Sequence, residues 1–416
     1  MRKVILLICI ICFTSLGIAQ EPVMIFEDTV NDQNLLKITS FNTYSSNKFN
    51  NELMDKFLFG GEITTELKDL HAARLSDRRN AIGGEFEQEI ECYSPDINLF
   101  KREQFGMKLS FSDNHYFGAD VKPGLFNLAM YGNANYVGDT MDMSFSAFQY
   151  QHYQKFGVGF YHEYNMSSIQ LNFITGSRSV KATLGESYVY THPNIDSIDV
   201  YAGGSMFMTD RFFPYWAFQG TGFSVDIDYN FIFQGKVKNR QIINFKINNL
   251  GMIFWNKQTK KYVLNMNDSY SGFDIQDLLN RDTSQDYSVN WMDTLGITET
   301  NGSQIDVLPL ELVVQKLPDQ GIAAKWQAIF GFKAIMVPEY FPYLFAGVYY
   351  KPIDQFSVST RASYGGFAGF RWGLNFNYWI KDKVYIGAGT FDMLGLFSKK
   401  IGFGRGFNFS MYFKLK

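Results

Sequence analysis

The stretch GFGRGFNFSMYFKLK, residues 402–416, decides the fold. Phe407, Phe409, Met411, Phe413 and Leu415 occupy every second position, and Asn408, Ser410, Tyr412, Lys414 and Lys416 fall between them. Strict alternation predicts a strand with one apolar face. That face is nearly all aromatic, and no turn follows it. A soluble sheet seldom needs such a last strand, so the pattern asks for an apolar surround wider than a core.

Composition points the same way. Of the 416 residues 17% are aromatic and 19% charged, and the net charge is −3. Mean hydropathy is nevertheless slightly negative, at −0.15. A transmembrane β-barrel has this balance, because lipid-facing and lumen-facing residues cancel in the average. The weak net charge leaves no strong field for nucleic acid.

The first residues read as a cleaved signal peptide, 1–19. Arg2 and Lys3 precede an apolar run over 4–16, and Gly17-Ile18-Ala19 supplies the small cleavage residues. Cys9 and Cys12 lie inside that run without the flanking residues of a lipid-anchor site. Cys92 is then the sole mature cysteine, so no internal disulfide forms. No later apolar run reaches the roughly eighteen residues of a helical span. An exported, strand-rich chain without such a helix can live in a bilayer only as a closed barrel.

Period-two patterning runs from Phe105 onward. Met107, Leu109 and Phe111 alternate with Lys108 and Ser110; Met141, Met143 and Phe145 with Asp142 and Ser144; Phe223, Val225, Ile227 and Tyr229 with Ser224, Asp226 and Asp228. Phe356, Val358 and Thr360 alternate with Ser357, Ser359 and Arg361, and Trp372, Leu374 and Phe376 with Gly373 and Asn375. Clean segments run about nine to eleven residues, the length a tilted strand needs to cross a bilayer. The expected architecture is all-β: a transmembrane antiparallel barrel of roughly fourteen strands, both ends periplasmic. Residues 20–101 are set apart as an N-terminal segment, and 102–416 as the barrel. In that segment 35–41 allows a short strand, and 51–75 reads as two helical pieces broken at Gly60-Gly61. Thr64 or Thr65 caps the second piece, and Leu53, Phe57 and Leu58 form the apolar face of the first. These helices are expected as a plug or periplasmic lid, or as a turn packed on the barrel end. Residues 267–304 lack a period and carry many aspartates, so they read as the longest loop, with a helical turn at 274–279.

The chain resembles an uncharacterised family of outer-membrane β-barrels from the Bacteroidota, a domain of unknown function. The matching features are FLFGGEITTELKD (57–69), the Leu308-Pro309 step in VLPLELVV, and the alternating final strand. More distantly it is similar to the barrels that carry long-chain fatty acids, which also place a helical segment before a fourteen-stranded wall. The resemblance implies an outer-membrane location and a barrel fold; it implies no ligand. One departure is the end: such barrels commonly finish on an aromatic residue read by the insertion machinery, whereas Lys414-Leu415-Lys416 follow Phe413 here.

Several constellations could carry chemistry. Glu85, Glu87, Glu89 and Glu91 share one strand face. Like charges so close need cations, so the face is either a cation site or charged ring near the pore mouth, or a solvated face paired with Arg74, Arg78, Arg79, Lys101 or Arg102. Asp226 and Asp228 should face the lumen. A turn near Val237 sets Asp228 opposite Lys246 and Asp226 opposite Asn248. Lys108 and Arg361 are further inward candidates. Phe407, Phe409, Met411 and Phe413 form the closing, lipid-facing strand and the insertion signal. The five histidines show no HExxH or Cys/His spacing, so no metal or other cofactor is expected. His152 and His162 should flank a hairpin, with Tyr150, Tyr153, Tyr161 and Tyr164 in an interfacial belt. No GxSxG elbow supports a hydrolase. The expected function is a non-enzymatic outer-membrane barrel, a conduit for a small molecule that could be apolar. The alternatives are a subunit of an envelope or secretion assembly, and, ranked lower, a barrel hydrolase. Expected partners are outer-membrane lipid, the insertion machinery, and an apolar ligand or envelope protein, with no nucleic acid.

Overall fold

The computed structural model describes residues 34–99, 102–209, 218–234, 240–271, 296–319, 324–380 and 383–415. The expected signal peptide, the expected turn near Val237 and the expected helical turn at 274–279 lie outside the described residues.

The chain opens with β1 (Asn34–Ser46), helices α1 (Asn51–Phe59) and α2 (Thr65–Ala72), then β2 (Ala81–Leu99) and β3 (Arg102–Asp120). Helix α3 (Pro123–Tyr131) and β4 (Thr140–Asp142) lead to β5 (Ala147–His162), β6 (Ser168–Thr191) and β7 (Ile198–Met208). Strands β8 (Gly220–Gln234), β9 (Arg240–Trp255), β10 (Lys260–Tyr270), β11 (Ile297–Asn301), β12 (Gln304–Val307) and β13 (Glu311–Leu317) follow. The chain finishes with β14 (Trp326–Ile335), β15 (Phe341–Ile353), β16 (Phe356–Gly366), β17 (Phe370–Ile380), β18 (Val384–Thr390), α4 (Met393–Phe397) and β19 (Gly404–Leu415).

The wall is a closed antiparallel barrel of fourteen staves, in the order β1-β2-β3-β5-β6-β8-β9-β13-β14-β15-β16-β17-β18-β19 and back to β1. The last strand closes it. Phe407, Phe409, Met411 and Phe413 sit opposite Asn42, Ser40, Ile38 and Leu36 of β1 on the outer face. Asn408 and Ser410 point inward and are buried; Asn408 donates to Asn375 Oδ1 at 2.7 Å. Closure pairs both edges and leaves no free strand. The remaining strands form an extension: β4 and β7 pair with the far end of β6, β10 and β11 follow β7, and β12 continues the β13 stave along β9.

Outward positions carry an apolar belt. Phe156, Val158, Ile169, Leu171, Phe173 and Phe223 are among the exposed large residues. No described helix is long and apolar enough to cross a membrane, so any crossing is made by strands. Among the described connections, those at the end bearing the chain termini are short, such as the two residues between β15 and β16; those at the other end hold the four described α-helices and the extension.

Three expectations need correction. The wall begins at Asn34, not at residue 102, because β1 and β2 are full staves. Of residues 141–145 only Met141 and Asp142 are in a strand, the three-residue β4, after which Phe145 takes φ 64° and ends the alternation. Within 267–304, β10 continues to Tyr270, and β11 and β12 occupy the far part.

Of the placements expected for the helices, packing on the barrel end is the one observed. α1 starts where Asn50 Oδ1 accepts from Leu53 N, and α2 where Thr64 Oγ1 accepts from Leu67 N. Their buried residues Leu53, Met54 and Leu67 pack with Phe49, Phe126, Tyr44, Ile82 and Val121. Tyr44, Ile82 and Val121 have the parity of the outward residues of β1, β2 and β3, so the helices clasp the outside of the rim, at the end away from the termini. They are neither a plug in the lumen nor a lid beside the termini. Of the apolar face read for the first helix, Leu53 is buried, whereas Phe57 and Leu58 are more than half exposed. The clasp is ionic at its end: Asp55 receives Arg405 Nη1 at 2.6 Å and Nη2 at 3.0 Å, and pairs with Lys399 at 2.6 Å. Burial works against the Asp55 charge, but the hydrogen bonds from Arg405 and Lys399 prevail and hold its carboxyl below the ordinary value of 3.8.

Candidate functional site

Parity explains which side chains reach the lumen. Along β2 the outward residues are Phe86, Gln88, Ile90 and Cys92, opposite His115, Asp113, Phe111 and Leu109 of β3. Glu85, Glu87, Glu89 and Glu91 therefore all point inward. They are not a solvated face, and none of the arginines expected beside them pairs with them in a described ion pair. Glu91 receives Lys37 and Lys108, each at 2.5 Å. Glu85 and Glu311 hold Lys333 between them, each at 2.9 Å. These ion pairs are nearly dry, with Lys333, Glu85 and Glu311 side chains 5%, 8% and 6% exposed.

Asp228 stands opposite Lys246, as the alternation predicts, and accepts from Asn244. Asp226 does not stand against Asn248 alone but against Asn248 and Asn249 together. A bulge shifts the register between Val225 and Ile227, and Asn249 takes φ 61° within it. Asp226 accepts from Asn249 N at 2.7 Å and pairs with Lys155 at 2.9 Å. Arg361 is buried, with its guanidinium over the Phe345 ring at 4.7 Å.

Much of the β5–β6–β9 side of the interior is packed solid. Tyr116, Tyr153, Ile174, Ile253, Trp255 and Leu308 form one buried cluster. Leu308 enters it at the Pro309 step, where the strand breaks between β12 and β13. Beside the cluster Asp306 accepts from Trp255 Nε1 at 3.0 Å and Lys181 Nζ at 2.8 Å.

Open space runs along β1 and β2. A chamber of about 130 Å³ nearest the termini is lined by Lys37, Glu87, Glu89, Glu91, Lys108 and Asp226 among others. It shares Lys37, Glu87, Glu89 and Lys246 with a middle chamber of about 70 Å³. That one shares Phe41 and Lys333 with an upper chamber of about 30 Å³. The upper mouth is stopped by Phe367, which is 3% exposed and meets Tyr340 edge-on at 5.2 Å. Phe367 follows two glycines at φ 110° and 68°, which turn it back into the barrel. Gly83 makes room for it: a Cβ there would lie 2.2 Å from the ring.

The residues that sequence reasoning missed are Lys37, Lys155, Glu311, Lys333, Phe367 and Arg371. Parity could have flagged Lys155 and Lys333, since each stands next to an outward phenylalanine, Phe156 and Phe332. It could not have supplied their partners. Parity also places Asp113, His115, His152 and Gln154 on the outside. His115 and His152 are a cross-strand pair with rings stacked at 3.9 Å, and Asp113 lies within reach of both. Ligand atoms of these three come within 4.8 Å of one another, a clustering that the linear spacing of the histidines hides. His152 and His162 do not flank a hairpin; both belong to β5, and the turn follows His162. Tyr153 and Tyr161 point inward and are buried, so only Tyr150 and Tyr164 remain for an interfacial belt.

The fold and its interior define a closed fourteen-stranded barrel with an ion-paired, interrupted lumen. Residues 33–389 match a family of unknown function, DUF5723, and the chain belongs to that family. No curated protein matches the sequence. Among solved structures the chain is similar to a deletion mutant of the monoaromatic hydrocarbon channel TodX, at 8% identity and TM-score 0.40, over 92% of this chain and 90% of that one. It is also similar to the P. putida toluene transporter TodX, at 8% identity and TM-score 0.38, over 94% and 91%. A third is the monoaromatic hydrocarbon channel CymD, at 8% identity and TM-score 0.28, over 92% and 89%.

Proposed function

We propose that the protein is an outer-membrane barrel that passes a small polar or charged solute, and that its mouth is closed at rest. The observation that carries this reading is the run of three chambers along β1 and β2, stopped by Phe367. About half of the residues lining the lower two chambers are charged, which favours a hydrated or charged cargo over an apolar one: an apolar molecule would strip water from these charges without replacing it. The reading is non-enzymatic. In it Asp226 and Asp228 serve as charge partners, Asp226 of Lys155 and Asp228 opposite Lys246, and no nucleophile is assigned beside them.

Short turns face the periplasm in barrels of this kind, and long connections face outward. On that rule the helical clasp lies at the cell surface, just above the apolar belt. Phe57, Phe59, Phe397 and Ile401, all more than half exposed, then rest against the membrane interface.

The test is solute entry into liposomes carrying the purified protein. Phe367→Ala should raise the rate of uptake of a small charged solute several-fold over the native protein. Deletion of residues 51–75 should not, because the helices lie outside the lumen. No entry with Phe367→Ala, in protein that keeps heat-modifiable gel mobility, overturns the conduit.

A further inference from the structure

We infer that the upper chamber is a binding site for a carboxylate group, with Arg371 as its anchor. Arg371 enters the lumen from β17 and is 5% exposed. Its two described hydrogen bonds reach Gly365 O at 3.1 Å and Ser45 Oγ at 3.5 Å. Its Nε is buried without a partner. No described carboxylate lies within ion-pair distance of it. The rings of Tyr343 and Phe391 hold the guanidinium at 4.9 and 4.7 Å, so its plane is fixed.

The surroundings are positive. The chamber is lined by Lys333, Arg361 and Arg371 against one carboxylate, Glu85; Glu85 and Glu311 are both bonded to Lys333, so neither carboxylate is turned to Arg371. Above the chamber Arg79 is answered by Glu339. Asp392 attracts Arg371 at longer range, but its own carboxylate caps α4 by accepting from Gly395 N at 2.8 Å. A guanidinium taken from water needs an anion or several acceptors, and Arg371 has too few. Its planar fork suits a carboxylate, and the small upper chamber leaves room beside it for a compact group. Chloride would satisfy the charge but not the fork.

This inference rests on the conduit reading only for its use, since a carboxylate bound here would be the head of an acidic cargo waiting below Phe367. Its test therefore measures binding without transport. Full-length protein in zwitterionic detergent is titrated calorimetrically with sodium acetate and, separately, with sodium chloride. Saturable acetate binding at one site is expected. Arg371→Lys, which keeps the charge and loses the fork, should weaken it at least tenfold, and Arg371→Gln should abolish it. Arg371→Lys decides the matter if Arg371→Gln fails to fold. Absence of saturable acetate binding, or equal binding by both variants, overturns the site. Tighter binding of chloride than of acetate overturns the carboxylate assignment. Acetate binding in a protein that passes no solute would leave the site standing and remove the conduit.

Discussion

Changing Lys333 to methionine isolates what the lumen charges contribute. Lys333 Nζ lies 2.9 Å from both Glu85 and Glu311, all three side chains are under a tenth exposed, and the ammonium sits 5.1 Å from the Phe41 ring. Methionine keeps the length and apolar stem but leaves two carboxylates facing each other without a cation. Removing one partner from a buried ionic cluster costs about 3–5 kcal/mol. An independent route gives a similar figure: hydrogen bonds to charged groups contribute about 1.5–3 kcal/mol each, and two are lost. The triple variant Lys333→Met, Glu85→Gln, Glu311→Gln should recover most of that loss, because no charge is then stranded. Urea unfolding of refolded protein in detergent, followed by the shift between folded and unfolded gel mobility, gives both free energies. A Lys333→Met penalty below about 1 kcal/mol, or a triple variant no better than the single one, would refute a dry ionic cluster.

Other outcomes follow from the same geometry. Gly83→Ala puts a methyl 2.2 Å from the Phe367 ring, so it should destabilise by about 1–3 kcal/mol and raise liposome leakage together; intact stability with an unchanged leak would place the ring elsewhere. The Asp55 carboxyl is held below 3.8, so the clasp's ionic contribution is fully present above that pH and is lost as pH falls through the folded value. Proteolysis of the 51–75 segment should therefore rise only in strongly acid buffer, and Asp55→Asn should show the raised rate already at pH 7. Trp255→Phe removes the indole N–H from buried Asp306 and should cost about 1–3 kcal/mol by the same urea assay. Truncating residues 414–416 should leave membrane insertion intact if Phe413 is the residue that is read, which heat-modifiable mobility of exported protein would report.

The sequence by itself determined the barrel, because side chains in a strand alternate with a period of two and a closed wall keeps that period from stave to stave. Phe407, Phe409, Met411 and Phe413 could be assigned to the outer face, and Lys108, Asp228 and Arg361 to the inner one, without coordinates. The Asp228–Lys246 pairing was legible because one hairpin sets its register. Partners across the lumen were not. Glu85 and Lys333 are 248 positions apart, and only closure of the barrel brings β2 and β14 to face each other. Bulges defeat parity as well: Asn249 inserts a residue into β9, and Asp226 turns from the expected Asn248 to Lys155. The helices show the remaining limit. Their caps at Asn50 and Thr64 are local chemistry, readable from residue type. Which face they bury depends on the outside of β1, β2 and β3, and that surface exists only once the staves are side by side.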